Sequence, residues 1–349
     1  MTNLFFIGTI ALLLAAIFTW SFRFLARERW QILGSIPLYK QADGSWAGLN
    51  LTYYGLINAG GVSAAAGLVL VLLSSLGLPV GVISGIIGGI LLLCAPSAKL
   101  IARWVEKKRH TFSIGGAAFA GLVVSPPLLW SIRFLPTRFG YPELPVMQTM
   151  AALAIGYALG EGIGRLACIS FGCCYGKPVD SLPARWRRIL SPFCIVYDGE
   201  TKKAAYAGGL NGRKTVAVPA VTAVLYASSA LIGAYLFLAG HAAAAYLTCV
   251  WVTQLWRFFS EFLRADFRGG GRISAYQKMA LAATLIAFGY YLAIPEMPLV
   301  ADIVLGLQAG WNPLVLLLSQ FTFLAIFLYL GRSQVTAANI HLFVRKDRI

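Results

Sequence analysis

Two stretches of this 349-residue chain set arginines and carboxylates at helical spacing beside strongly apolar segments. The first reads Gly160-Glu161-Gly162-Ile163-Gly164-Arg165-Leu166-Ala167-Cys168 and continues to Gly172-Cys173-Cys174-Tyr175-Gly176-Lys177-Pro178. Glu161 and Arg165 are four apart, which places them on one helix face. One reading is an arginine that snorkels toward a membrane surface beside a helix partner. The other is a guanidinium presented to a phosphate, with Gly164 and Gly176 letting a lipid approach the backbone. The second stretch reads Trp256-Arg257-Phe258-Phe259-Ser260-Glu261-Phe262-Leu263-Arg264-Ala265-Asp266. Here Arg257, Glu261 and Arg264 fall on one stripe of a continuous helix. Two arginines bracketing a carboxylate suit anion capture, with Glu261 fixing their geometry. A self-satisfied surface ion network is the plainer alternative, and Trp256, Phe258 and Phe259 also fit an aromatic belt.

Other chemistry-bearing residues are less directive. Tyr53-Tyr54-Gly55-Leu56 opens a helix and, alone, is an interfacial tyrosine pair. Arg109-His110-Thr111-Phe112-Ser113-Ile114-Gly115-Gly116 sets one histidine in a basic run, the pattern of a solvated loop. Ser113 has no His–Asp arrangement to activate it. Cys168, Cys173 and Cys174 fall close together, but adjacent cysteines are awkward ligands and no second Cys or His pair stands at zinc spacing. Neither a metal nor a cofactor is expected. The six cysteines form no framework of the secreted type, so they do not report a compartment.

The elements that must position these residues are membrane spans. Hydrophobic residues make up 58% of the chain and charged residues 12%, far too apolar for a soluble core. Nine stretches are long enough to span: 4–22, 54–76, 79–96, 113–132, 147–164, 216–238, 241–260, 276–294 and 311–331. The first is followed by Arg23, Arg27 and Arg29, has no basic run before it and shows no cleavage signal, so it reads as a retained anchor. Gly81, Gly85 and Gly89 read as a face for close helix packing. Pro126-Pro127 should kink or end its helix. Residues 165–215 read as a small surface subdomain with a short strand or two. The run Gly269–Gly271 reads as a loop, not a phosphate loop, because no Gly-Lys-Ser/Thr follows. With nine spans, every Lys and Arg of the 29 except Arg133 and Arg138 falls on one side of the membrane. By the positive-inside rule that side is cytoplasmic, and its charge suits anionic lipid head groups.

These elements, in this order, resemble the prolipoprotein diacylglyceryl transferase family. The resemblance spans about Leu51 to Ile294, with Tyr54-Gly55-Leu56 similar to the family's Tyr-Gly-Leu element. Gly164-Arg165 through Tyr175-Gly176 is similar to its Gly-Arg signature, closest to divergent members that read Gly-Cys-Cys-Tyr-Gly-Lys-Pro. Arg257-Phe258, Glu261-Phe262 and Arg264 resemble its Arg-Phe-x-x-Glu-Phe-x-Arg element. Ser274 and Gln277 match a downstream Ser-x-x-Gln.

The resemblance implies an all-α polytopic protein. A seven-helix core would cover 51–294, with one extra helix and a basic linker in 1–50 and another helix and a basic tail in 295–349. It implies transfer of diacylglyceryl from phosphatidylglycerol, or another anionic phospholipid, to the thiol of a prolipoprotein precursor in the bacterial cytoplasmic membrane. No nucleic acid is involved. Arg165, Arg257 and Glu261 would act in catalysis, and Tyr54, Glu161, Gly164, Gly176 and Arg264 would bind substrate. Glu161, Glu261 and His110 are the candidate bases.

Four departures stand against the pattern. The family histidine is replaced by Ile114, its signature asparagine by Cys168, and a tyrosine one turn before the second arginine by Thr253. Val224-Leu225-Tyr226-Ala227 lacks both polar residues of the family's Gln-Leu-Tyr-Glu element. The family's arginine elements also face away from the cytoplasm, opposite to the charge count. A lipid-modifying enzyme with a small or cytosolic acceptor, and a non-enzymatic lipid binder or transporter, are the rival expectations.

Overall fold

The computed structural model describes residues 1–107, 113–266 and 273–349. His110 and the Gly269–Gly271 run lie outside the described residues. The rest forms an all-α polytopic membrane protein with small sheets at one end. Nine long helices run α1 (Thr2–Phe24), α2 (Tyr53–Ser74), α3 (Val80–Glu106), α4 (Ile114–Ile132), α5 (Val146–Phe171), α8 (Val218–Leu238), α9 (Ala242–Ser260), α10 (Ala275–Ala293) and α12 (Pro313–Gly331). Short helices α6 (Ala184–Leu190), α7 (Lys203–Tyr206) and α11 (Ile303–Gly310) lie between them. Seven of the long helices are apolar enough to cross a membrane by length and composition alone; α9 and α10 are the two that are not. On α9 the polar residues Thr253, Gln254, Arg257 and Ser260 point inward and are buried.

Hydrogen bonds between loops sort into two sets, as alternating spans require. At the basic end, Asp198 N–H donates to Ala26 O (3.1 Å) and Lys177 N–H to Leu263 O (2.8 Å). Gln31 Nε2 donates to Thr201 O (2.9 Å). At the other end, Asp302 N–H donates to Ser75 O (2.8 Å), and Gln148 Nε2 to Met297 O (2.6 Å). There Glu296 also accepts from the N–H groups of Ala242 and Ala243 (2.5 and 3.2 Å), a carboxylate on the positive end of α9.

Helix α5 is the axis of the bundle, buried on most of its faces. It packs on α2, α8 and α9. Small residues bring α2 and α5 into close approach: a Cβ on Gly61 would fall 2.8 Å from Gly160 O. The expected packing stripe Gly81, Gly85, Gly89 is a correction, because a Cβ on any of the three would meet nothing within 4 Å. Those glycines face outward from α3, and the tight crossing lies one helix pair away.

The proline pair does not end its helix, because α4 continues through Pro126-Pro127. Pro127 cannot donate to Val123 O, four residues back. Tyr290 of α10 supplies the bond instead, its hydroxyl donating to Val123 O at 3.2 Å.

The basic linker and basic tail expected at the two ends of the chain instead form one sheet. Strands β1 (Ile32–Lys40), β2 (Trp46–Thr52) and β5 (Arg332–Ile340) pair antiparallel in the order β1-β2-β5. Asn50 ties all three: it accepts from Ser35 Oγ (2.5 Å) and donates to Thr336 Oγ1 (3.1 Å). Thr52 caps α2 and donates to Gly331 O at 3.0 Å, fixing the start of α2 to the end of α12. The surface subdomain begins after Phe171 rather than at Arg165, because α5 carries on for almost two more turns. Its strands β3 (Cys194–Val196) and β4 (Lys214–Val216) pair antiparallel.

Candidate functional site

The stripe that organises the site lies on α5 and reads Tyr157, Glu161, Arg165, at i, i+4 and i+8. From α9, Arg257 reaches across to the same carboxylate. Arg257 Nη2 donates to Glu161 Oε1 and Oε2 at 2.6 and 2.7 Å, and to the Tyr157 hydroxyl at 2.9 Å. Arg165 Nη2 donates to Glu161 Oε1 from the other side. Two guanidinium groups from separate helices thus converge on one carboxylate, in a pocket where Glu161's side chain is 1% exposed. The group carries one more positive than negative charge. The Nε groups of both arginines are buried and have no acceptor among the described residues.

Several residues expected at the site hold it together from behind. Ser113 caps α4, accepting from Gly116 N–H at 3.2 Å. This brings Gly115 against Arg257: a Cβ there would fall 2.8 Å from Nη1. The start of α4, with Ile114, therefore packs against Arg257. Ser274 and Gln277 form a reciprocal capping box at the start of α10. Gln277 Nε2 also donates to Phe258 O (3.1 Å), joining α10 to the end of α9. Tyr54 stacks edge-on with Phe171 at 5.7 Å and lies in electrostatic reach of Arg165. Tyr226 donates to Thr253 O at 2.6 Å.

Three expectations need correction. Glu261 does not fix both arginines, because α9 ends at Ser260 and the chain turns through a short 3-10 segment into extended backbone at Arg264. The expected continuous stripe is broken there. Among the described residues Glu261 pairs only with Arg264, at 3.9 Å, and Glu161 does the positioning of Arg257. Arg264 is held by Asp266, with Nε and Nη2 donating at 2.8 and 2.7 Å. Gly176 offers no approach for a lipid: its Cα lies against Val216, where a Cβ would fall 2.8 Å from Val216 Cβ. Its backbone bridges antiparallel to Arg264 instead, so the two arginine stretches are sewn together. Gly164 likewise faces the Asn58 side chain of α2, 3.3 Å from where its Cβ would be. Tyr157 is the site residue the sequence reading passed over, although its spacing from Glu161 marked it.

The three cysteines are gathered by local backbone rules. Gly172 ends α5 in the left-handed region (φ 71°). Gly172 N–H donates to Ile169 O (3.3 Å) and Cys173 N–H to Cys168 O (3.0 Å). That pair of bonds is a Schellman ending, which sets the residue after the glycine beside the residue five before it. Cys168 and Cys173 occupy those two places. Cys174, also left-handed (φ 57°), turns its thiol back onto them. The three Sγ atoms lie within 4.8 Å of one another, and Arg165 Nη1 is 3.7 Å from Cys174 Sγ. Hydrogen bonds from Cys168 and Cys173, aided by Arg264 and Arg165, hold the Cys174 thiol well below its ordinary range. Close by, Lys202 is buried and donates to Ser170 O (2.7 Å) and Leu25 O (3.3 Å). Burial lowers its pKa to about 8.

Comparison with curated proteins finds no match. The sequence model of the prolipoprotein diacylglyceryl transferase family matches residues 45–294, from β2 to the end of α10. That span holds Arg165, Arg257, Glu161 and the elements that brace them, and it covers well over half of the chain, which therefore belongs to the prolipoprotein diacylglyceryl transferase family.

Proposed function

We propose that the chain moves diacylglyceryl from phosphatidylglycerol, or a related anionic phospholipid, to a thiol acceptor. The observation that carries this reading is the convergence of Arg165 and Arg257 on one carboxylate. A phosphodiester offers the same two-oxygen geometry to guanidinium forks as a carboxylate does. Glu161 keeps the forks in place before the lipid arrives, and the surplus positive charge and the two unpaired Nε donors favour the phosphate. Beside Trp256 and Leu263, an apolar cavity of about 200 Å³ lined also by Phe193 and Val218 suits an acyl chain.

In the reaction, the acceptor thiolate attacks the glyceryl carbon next to the phosphate. A carbon–sulfur bond forms as the carbon–oxygen bond breaks, and glycerol phosphate leaves with the electron pair. Arg165 and Arg257 stabilise the charge that grows on the departing phosphate. The test is purified protein given phosphatidylglycerol labelled in its head-group glycerol, with and without a lipobox peptide. Peptide-dependent release of labelled glycerol phosphate is the expected result, and no release under either condition removes the reading.

A second reading, a small or cytosolic acceptor, is favoured by one observation. Ile114 stands where the family has a histidine, on the element that lies against Arg257. The charge asymmetry, which would place this end of the bundle in the cytoplasm, points the same way. Lipid analysis of a deletion strain separates the two: a missing lipid species with intact lipoproteins selects the second.

A further inference from the structure

We propose that Cys168, Cys173 and Cys174 form a three-thiolate binding site for a soft or borderline d10 cation, zinc(II) or copper(I). Sequence spacing argues against such a site, because adjacent cysteines rarely converge. The fold removes that objection: the Schellman ending pairs Cys168 with Cys173, and the left-handed backbone of Cys174 brings in the third thiol. Around a tetrahedral zinc with bonds of about 2.3 Å, sulfur atoms stand roughly 3.8 Å apart. The observed set lies within 4.8 Å, so closure needs shifts of about 1 Å or less, of side chains alone.

Two further observations point to a ligand. Tyr197, which follows β3, is 1% exposed, its hydroxyl has no hydrogen-bond partner among the described residues, and it lies in electrostatic reach of all three thiols. A buried hydroxyl without a partner is costly, and a metal-bound water or the metal itself would satisfy it. The charge also fits. Three thiolates around zinc carry one net negative charge, which is expensive to bury alone. Arg165 stands 3.7 Å from Cys174 Sγ, and the buried Arg264 interacts electrostatically with the same thiol. Soft thiolates select zinc and copper(I) over the harder divalent ions. Binding would release the thiol protons to solvent as the metal–sulfur bonds form. The site touches the phosphate-binding arginine but does not depend on the lipid-transfer reading.

The test uses the full chain in detergent micelles, prepared under reductant and without oxidant. One arm is equilibrated with Zn²⁺ and another with Cu⁺, excess metal is removed, and metal content is measured. The expected result is one metal per chain in at least one arm, and the arm that binds identifies the cation. Cys168→Ser and Cys174→Ser should each weaken retention against a competing chelator by at least tenfold, while Cys94→Ser on α3 retains it. Co²⁺ added to the unaltered protein should give thiolate-to-cobalt charge-transfer absorption, a readout that needs no variant to fold. Failure of both arms, metal retained by the Cys168→Ser/Cys174→Ser double variant, or a disulfide between any two of the three in the protein as isolated would overturn the proposal. Each of these outcomes is independent of whether the protein transfers lipid.

Discussion

Arg165 and Arg257 share a single carboxylate, whereas Arg264 has two carboxylates beside it, Asp266 at 2.7 Å and Glu261 at 3.9 Å. The sharing leaves positive charge and buried donors at the α5–α9 centre, and it holds both forks in one place before substrate arrives. The Arg264–Asp266 pair is bidentate, and Arg264 stands in the strand-like bridge to Gly176. The contrast predicts a binding role for Arg165 and Arg257 and a bracing role for Arg264, among arginines that look equivalent in the sequence.

The comparison breaks if Glu161 is dispensable. Glu161→Gln strands two buried guanidinium groups and should destabilise the protein by about 3–5 kcal/mol, read as thermal unfolding in detergent. Next, Arg165→Ala or Arg257→Ala should lower the transfer rate by about 10²–10³. Arg264→Ala should leave the rate within about tenfold and act on stability instead, and equal rate losses at all three positions would erase the distinction. Gly115→Ala pushes a methyl group into Arg257 and should lower the rate by up to about 10², with folding intact by size exclusion. Lys202 extends the series to a buried cation whose hydrogen bonds go to carbonyls. Its folded pKa of about 8 lies below the unfolded 10.5. The unfolded chain therefore binds more protons between those values, and stability should rise across that window by on the order of 3 kcal/mol. Lys202→Met should flatten the rise in pH-dependent unfolding. Last, Ser274→Ala removes the α10 cap and should cost about 1 kcal/mol of stability with little change in rate.

What could be read from the sequence follows the range of the interaction. The spans, their alternation and the two arginine stretches are local patterns of hydropathy and charge, and the sequence carries them openly. The Tyr157-Glu161-Arg165 stripe is local too, and only its first member went unread. The thiol cluster was also within reach, because a glycine just before Cys173 and five residues after Ala167 fits a helix ending that folds back on Cys168. The reassignment of Arg257 from Glu261 to Glu161 was not legible. It depends on α9 stopping at Ser260, which Gln277 and the Gly176 bridge enforce from elsewhere in the chain. The three-stranded sheet was hidden for the same reason, since β2 finds its partner β5 nearly the whole chain away.

The central claim is that Arg165 and Arg257 grip one phosphate together, and a double-mutant cycle on phosphatidylglycerol binding tests it most directly. Affinities in nanodiscs would be compared for the unaltered chain, Arg165→Gln, Arg257→Gln and the double variant. A shared phosphate predicts strong coupling, of about 0.5–3 kcal/mol, with the double variant losing little more than the worse single one. Losses that simply add would show two independent contacts and contradict the account.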